Sequence, residues 1–449
     1  MRTLLLLLLA FAAAAQPISN SDREIVFRGV NVIPMDTERV LADQTVIVKE
    51  GRITYIGATK GAPVSKGALI IPAKGKYLMP GLAEMHAHVP PIDNLEPMKE
   101  VLLLYLAGGV TTIRGMLGHP RHLELRTQIN TGEVLGPHFY STGPSFNGQS
   151  VKTAERGAAM VREQKAAGYD YLKLHPGLTK ETFGAIATTA KEVGIPFAGH
   201  VSFGVGVWTA IEAGYSSIDH LDGFVEAITP GVDTLAEQQT GLFGSWIAHR
   251  ADPGRIAPLV KALAEKKIWV VPTQALAERW LSSTPAQMFL AEPEMKYMKP
   301  EDRKNWENAK NNYLNNPNYS KDKANKLVAI RKTLIRECQQ GGVGLLLGSD
   351  APQVFNVPGF SVHHELKYLV DAGLTPYEAL RTGTVNVATY LGQTDEGTVK
   401  VGNQADLVLL SANPLEAIGN TRQIEGVMIG TRWLSRAWLD ETLKKLEKN

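Results

Sequence analysis

Two histidines stand two residues apart in GLAEMHAHVP, His86 and His88. The period-2 alternation of an extended strand puts both on one face, where two imidazoles can hold a borderline divalent cation such as zinc. A single His-x-His pair is common without metal. Here it is followed by Lys173 in YDYLKLH, His200 in IPFAGH, His220 in SSIDH and Asp350 in VGLLLGSD. Each ends, or lies within, an apolar run of strand length. An ammonium buried in such a run loses hydration, which lowers its pKa and favours the neutral, nucleophilic amine. Taken singly, each residue reads as a satisfied polar group at a strand end. Their recurrence at strands one, four, five, six and eight reads instead as a metal site with a carboxylate available for acid/base work. Thiolate is absent from that set, because Cys338 is the sole cysteine and falls in a helix-prone run. A lone cysteine also forms no intrachain disulfide, so stability must come from packing.

The elements that position these residues alternate. From about 81 to 392, buried apolar strands alternate with helical stretches, the pattern of a parallel sheet with crossover helices. Eight strand candidates occur there: LAEMHAH, VTTIRGM, HFYSTG, YDYLKLH, IPFAGH, SSIDH, IWVVPT and VGLLLGSD. Most follow a glycine suited to ending the previous helix. Eight units imply an α/β fold of the (β/α)8 barrel type, whose active site lies at the carboxyl ends of the strands. Residues 16–80 and 393–449 carry β signals, including a hairpin at Glu50-Gly51, and are expected to build one small β-sandwich domain from both chain ends. The interval 274–341 is too long for a barrel loop. It reads as a helical insertion, a lid packed on the barrel by Trp280, Met288, Phe289 and Trp306.

The chain has 449 residues, 44% hydrophobic and 20% charged, with 42 Gly and 25 Pro. That composition excludes disordered, collagenous and coiled-coil classes. The net charge of +2, without a basic run beyond Lys444, Lys445 and Lys448, excludes a nucleic-acid footprint. Met1–Ala15 has an Arg, an apolar run and a small-residue end, the form of a cleaved signal peptide. The expectation is therefore an exported, periplasmic or secreted protein beginning near Gln16. Leu4–Ala15 is too short to span a bilayer, which needs about 20 residues, and no later stretch does so. A homo-oligomer is compatible with the sequence.

GLAEMHAHVP, YLKLH, AGHVS, SSIDHLD and LLGSDAP, in that order and framed by KYLMPGL and GTVKVGNQADLVLL, resemble the amidohydrolase superfamily. The likeness is to its secreted imidazolonepropionase-like and Xaa-Pro dipeptidase-like branch and covers nearly the whole mature chain. The resemblance implies that His86, His88 and Asp350 bind one metal and that His200 and His220 bind a second, most simply both zinc. Lys173, N6-carboxylated, would bridge them. It implies hydrolysis of an amide or peptide bond in a small substrate, a dipeptide such as Xaa-Pro or an N-acyl amino acid. The attacking group would be a metal-bridging hydroxide, with Asp350 as proton shuttle. The alternatives are a one-metal deaminase or cyclic-amide hydrolase, in which a bridging lysine has no role, and a non-catalytic exported binding protein. Three positions depart from the family pattern. Glu84 stands where Asp is usual, Arg114-Gly115 follows strand two where an acid is expected, and GPSFNGQS replaces a glycine- and histidine-rich loop after strand three.

Substrate contacts are less defined. Arg114 could grip a substrate carboxylate through its planar guanidinium or form a structural salt bridge. His175, two past Lys173 on the same strand face, and His138, opening strand three, could reach substrate or be satisfied barrel histidines. His363 and His364 begin a helix and read as structural, and His119, His122 and His249 give no signal.

Overall fold

The computed structural model describes residues 18–19 and 23–448; the expected signal segment Met1–Ala15 lies outside them. The N-terminal part contributes β1 (Ile18–Ser19), β2 (Ile25–Val32), β3 (Leu41–Lys49), β4 (Arg52–Ala58), β5 (Leu69–Pro72) and β6 (Tyr77–Pro80). The central part contributes β7 (Leu82–Ala87), β8 (Val110–Gly115), β9 (His138–Ser141), β10 (Leu172–Leu174), β11 (Phe197–Gly199), β12 (Ser217–Asp219) and β13 (Trp269–Val271). The C-terminal part adds β14 (Leu407–Leu410), β15 (Ile424–Ile429) and β16 (Arg432–Ser435).

Both chain ends join one nine-stranded mixed sheet in the order β1-β16-β15-β14-β6-β2-β3-β4, with β5 paired to β2. The β3–β4 hairpin turns at Glu50 and Gly51, both at positive φ, as a two-residue turn matched to strand twist requires. Phe27 on β2 and Trp433 on β16 pack edge-on with centroids 5.2 Å apart, although β6, β14 and β15 separate their strands in the sheet. One apolar core therefore gathers both ends of the chain. The C-terminal segment departs from the expected all-β reading. After β16 it forms the helix Arg436–Leu446, capped by Ser435 and burying Leu439, Thr442 and Leu446.

The central strands are parallel, β7-β8-β9 in one sheet and β10-β11-β12-β13 in another. A parallel bridge between Thr142 and Tyr171 links the two sheets. The eighth expected strand, VGLLLGSD, forms no ladder. It runs as an irregular buried segment that bridges Leu345 to Val270, and Ala351 just beyond it bridges to Ala87 of β7. Two glycines explain how it fits so closely: a Cβ at Gly344 would fall 2.2 Å from the Trp269 ring, and one at Gly348 would fall 2.4 Å from Val271. Helices follow most of these strands, and Gly168, Gly194 and Gly214 end three of them in the left-handed conformation, where glycine has no Cβ penalty. Residues 274–341 form a set of helices, the longest being Lys321–Gln340, which buries Cys338. Among the described residues no helix is long and apolar enough to cross a membrane.

His138 does not sit where substrate contact was expected. It opens β9, at the strand end opposite the candidate ligands, and its Nε2 donates to Asp406 Oδ2 at 2.8 Å. Burial works to lower its pKa, but the hydrogen bond and charge of Asp406, with Glu396 nearby, push it up to about 8. A raised folded-state pKa means that the pair stabilises fully below the unfolded value near 6.5 and loses that contribution as pH rises through about 8. The gap in Tm between the parent and His138→Gln should therefore be widest near about pH 6 and close by about pH 9. Because the His138 side chain is 37% exposed, the stabilisation should be under about 1 kcal/mol. Thermal unfolding across that range checks it; a gap independent of pH would place the pair's contribution elsewhere.

Candidate metal centre

The residues singled out above converge at the carboxyl ends of the parallel strands. His86 lies in β7 and His88 just beyond it, Lys173 within β10, and His200 and His220 directly after β11 and β12. Strand geometry does not continue through all of them. His220 and Asp350 take positive φ of 64° and 65°, as does Thr273 at 45°. Non-glycine residues in that region cost about 1–3 kcal/mol and persist only where the surroundings over-determine them. At His220 the determinants are visible: its N–H donates to Val271 O at 2.8 Å, and its carbonyl accepts from Arg331 Nη1 at 2.6 Å. Lys173 needs room of its own. Gly199 supplies it, since a Cβ there would lie 2.9 Å from Lys173 Cδ and 2.5 Å from Leu174 O.

The geometry is tight. Lys173 Nζ lies 3.2 Å from His86 Nε2, and His88 Nε2 lies 2.6 Å from Asp350 Oδ1. The His86 and His220 rings are 4.4 Å apart, and those of His200 and His220 are 4.3 Å apart. One ligand atom from each of His86, His88 and Asp350 falls within 4.8 Å of the others. His220 Nε2 is buried with no hydrogen-bond partner, and His88 Nε2 and Asp350 Oδ1, although 2.6 Å apart, are not aligned for a hydrogen bond and have no other partner. Orphaned buried acceptors cost about 1–3 kcal/mol each, so this donor set fits cations that would satisfy all three together. Burial, reinforced by the charge on Lys173, holds the His86 pKa well below its usual value and brings His200 down to about 3. Burial and the neighbouring histidines likewise depress His220. The imidazoles of His86, His200 and His220 are therefore neutral, the form that binds metal. Burial also lowers Lys173 to about 8, against the raising influence of Asp219 and Asp350.

A surrounding layer of carboxylates orients the rings. His86 Nδ1 donates to Asp219 Oδ2 at 2.8 Å, and His200 Nδ1 donates to Asp222 Oδ2 at 3.0 Å. His220 Nδ1 pairs with Thr273 Oγ1 at 2.9 Å. The two carboxylates require a proton on Nδ1 and so leave Nε2 of His86 and His200 unprotonated. Glu84 acts on backbone, accepting from the N–H of His86 at 3.2 Å and of Ser349 at 2.7 Å. Burial pushes its carboxyl up to about 8.

Arg114 departs from the substrate-gripping reading. It is fully buried, and its donors go to Met85 O, Ser217 Oγ, Tyr390 OH and Asp219. It therefore holds the carboxylate that holds His86. His175, by contrast, borders the centre, its ring stacked 4.9 Å from His200. His363 is buried between Thr421 and Gly108 O. A second acidic group, Glu292 and Glu294 with His364, is matched by Arg279 and Arg422 and forms an ion network.

Two cavities adjoin the centre. One, of about 930 Å³, is lined by His200, Asp222, Glu226 and Phe243. The other, of about 450 Å³, is lined by His88, Tyr297, Met298 and Trp306. Trp306 thus walls the mouth, whereas Phe289 packs on Phe355, Trp280 donates to Ala309 O, and Met288 is 65% exposed. Sequence reasoning missed Asp219, Asp222, Thr273 and Tyr390. The available signal was the pair of acids flanking His220, one of them inside a buried strand.

The Amidohydrolase family matches residues 77–434. The Ochratoxinase of Aspergillus niger is 22% identical over 433 residues, covering 88% of this chain and 82% of that protein. Among solved structures, that of "AH, Bottromycin amidohydrolase" superimposes with a TM-score of 0.75 at 23% identity, covering 95% of this chain and 91% of the other. A Xaa-Pro dipeptidase with bound methionine in its active site gives 0.66 at 18% identity, covering 92% and 100%. These structural likenesses concern the fold.

Replacing Arg114 by Met leaves Asp219 buried without its cation and should destabilise the protein by about 3–5 kcal/mol. The double variant Arg114→Met/Asp219→Asn should recover part of that loss. Urea unfolding measures both; a stability unchanged in Arg114→Met would return the arginine to a role outside the packed interior.

Proposed function

The chain belongs to the amidohydrolase family and is a hydrolase of carbon–nitrogen bonds, and from that premise we propose that it cleaves an amide or peptide bond of a small substrate with two divalent cations. The observation that carries this is the position of Lys173. Its Nζ lies beside His86 Nε2, within one cluster in which the His86 and His220 rings are 4.4 Å apart and the His200 and His220 rings 4.3 Å apart. A one-metal deaminase or cyclic-amide hydrolase has no use for that lysine. The substrate class, a dipeptide such as Xaa-Pro or an N-acyl amino acid, is supported by the amide-hydrolase names among the relatives. In the same reading the eight parallel segments form a (β/α)8 barrel, supported by the bridges through Leu345 and Ala351. The nine-stranded sheet folds as a sandwich, supported by the Phe27–Trp433 contact. Export rests on the composition of Met1–Ala15.

His86, His88 and Asp350 would hold one cation, and His200 and His220 the other, zinc being the simplest choice for imidazole and carboxylate donors. Lys173, carboxylated on Nζ from its neutral amine, would be a further ligand. Such cations supply a nucleophile at neutral pH and polarise the scissile carbonyl. Asp350 accepts the proton of the attacking water and delivers it to the amine nitrogen as the C–N bond breaks. Asp219 and Asp222 keep His86 and His200 in the tautomers that leave Nε2 toward the centre. His175, stacked on His200, would face the substrate.

Metal analysis of protein purified without chelator should find two divalent ions per chain; one ion would favour the mononuclear alternative. Asp350→Asn keeps an oxygen near His88 but removes the proton acceptor. Hydrolysis of dipeptides or N-acyl amino acids should fall by about 100-fold or more with folding intact. Turnover within about threefold of the parent would mean that another group carries the proton.

A further inference from the structure

The 930 Å³ cavity reaches from His200 past Asp222 to Glu226, and its two acids are not equivalent. Asp222 is engaged: its Oδ2 accepts from His200 Nδ1 at 3.0 Å. Glu226 is not. Its Oε2 is shut off from solvent and meets no donor. Arg331 is the nearby cation, but its guanidinium donates to Gln274 Oε1, His220 O and Pro272 O. A buried carboxyl without a donor is costly, and the mechanism above makes no use of it.

We infer that Glu226 forms a subsite for a primary ammonium group, so that the preferred substrates are dipeptides or amino-acid amides with a free amino terminus rather than N-acylated amino acids. Glu226 lines the cavity, so a turn of its carboxyl about the last side-chain bond presents the donorless oxygen to an ammonium, which also brings a positive charge beside two carboxyls. Burial, with Asp222 close by, pushes the Glu226 carboxyl up to about 8, and an arriving cation would draw it back to the ionised form. The same cavity provides apolar surface for a side chain next to that amine, from Phe203, Val207, Leu242 and Phe243. An acetyl cap would take away both the charge and two of the three N–H donors. No other acid on the wall offers a buried, unpartnered oxygen: Asp233 and Glu237 lie exposed on the rim.

The inference rests on the reading of the centre as an amide hydrolase, and binding and turnover test the two separately. The probes are the phosphinic pseudodipeptide of alanyl-alanine and its N-acetyl derivative, titrated calorimetrically into the metal-loaded full chain near neutral pH. The parent should bind the free-amine form at least about tenfold more tightly, the discrimination expected of a buried polar group left unpaired by the wrong ligand. In Glu226→Gln the ratio should fall to about twofold or less, and Glu226→Asp, which keeps the charge, should retain part of it. Equal binding of the two forms by the parent, binding of neither, or a preference that survives Glu226→Gln would overturn the subsite. Because the parent comparison needs no substitution, a poorly folded variant does not spare the idea. Hydrolysis is read in parallel with alanyl-alanine and N-acetyl-alanyl-alanine. Cleavage of both at similar kcat/KM removes the amine subsite and leaves the amide hydrolase standing; cleavage of neither removes the amide reading itself.

Discussion

The carboxylate of Asp219 is wedged between His86 and Arg114, and the rest of the centre depends on that pairing. It accepts from His86 Nδ1 on one side and from the Arg114 guanidinium on the other. A charge buried this completely survives only if it is paired and hydrogen-bonded. Both conditions are met here, with Ser217 Oγ as a further donor at 2.8 Å. Arg114 is itself flanked by the rings of Tyr171 and Tyr390, each about 5.5 Å from its charged carbon. The network thus runs from a helix outside the strands, through Tyr390, to the ring nitrogen that faces the opposite way from the metal position.

Burial has one consistent consequence for the neighbours. It lowers the pKa of His86, His200, His220 and Lys173 and raises that of Glu84 and Glu226. Desolvation always favours the neutral form, so bases become available as ligands while acids become hydrogen-bond donors or wait for a cation. In that interior the paired charges of Asp219 and Arg114 persist because each has its partner, and attraction between opposite charges is stronger there than in water. Local geometry supports this at its own cost: His220 and Asp350 accept left-handed backbone, and Gly199 gives up a side chain so that Lys173 can pass.

The cavity walls sit apart from this rigid layer. The two cavities flank the centre, one on the His200 side and one on the His88 side. Their walls come from segments after the strands and from the 274–341 helices. Loops and inserted helices can change without disturbing the buried network, which is how one scaffold carries many specificities. Here the walls carry Trp306 near His88 and the unpartnered Glu226 near His200.

The sequence by itself determined most of the elements and the residue types of the candidate centre. Period-2 apolar runs alternating with helical stretches define a parallel α/β architecture, and glycines after the helices mark their ends, because both are local consequences of backbone geometry. His86, His88, Lys173, His200, His220 and Asp350 were legible because few residue types bind metal and all recur at strand ends. Tertiary structure alone decided what faces those residues. Arg114 could have gripped a substrate; it is instead committed to Asp219, 105 residues away, and to Tyr390, 276 residues away. His138 could have lined the mouth; Asp406 holds it at the other end of the strand. The eighth segment reads as a strand, yet close packing against Trp269 and Val271 through Gly344 and Gly348 leaves it only single bridges. In each case side-chain type and local spacing are compatible with two environments, and the choice between them is made by long-range packing, which no local period encodes.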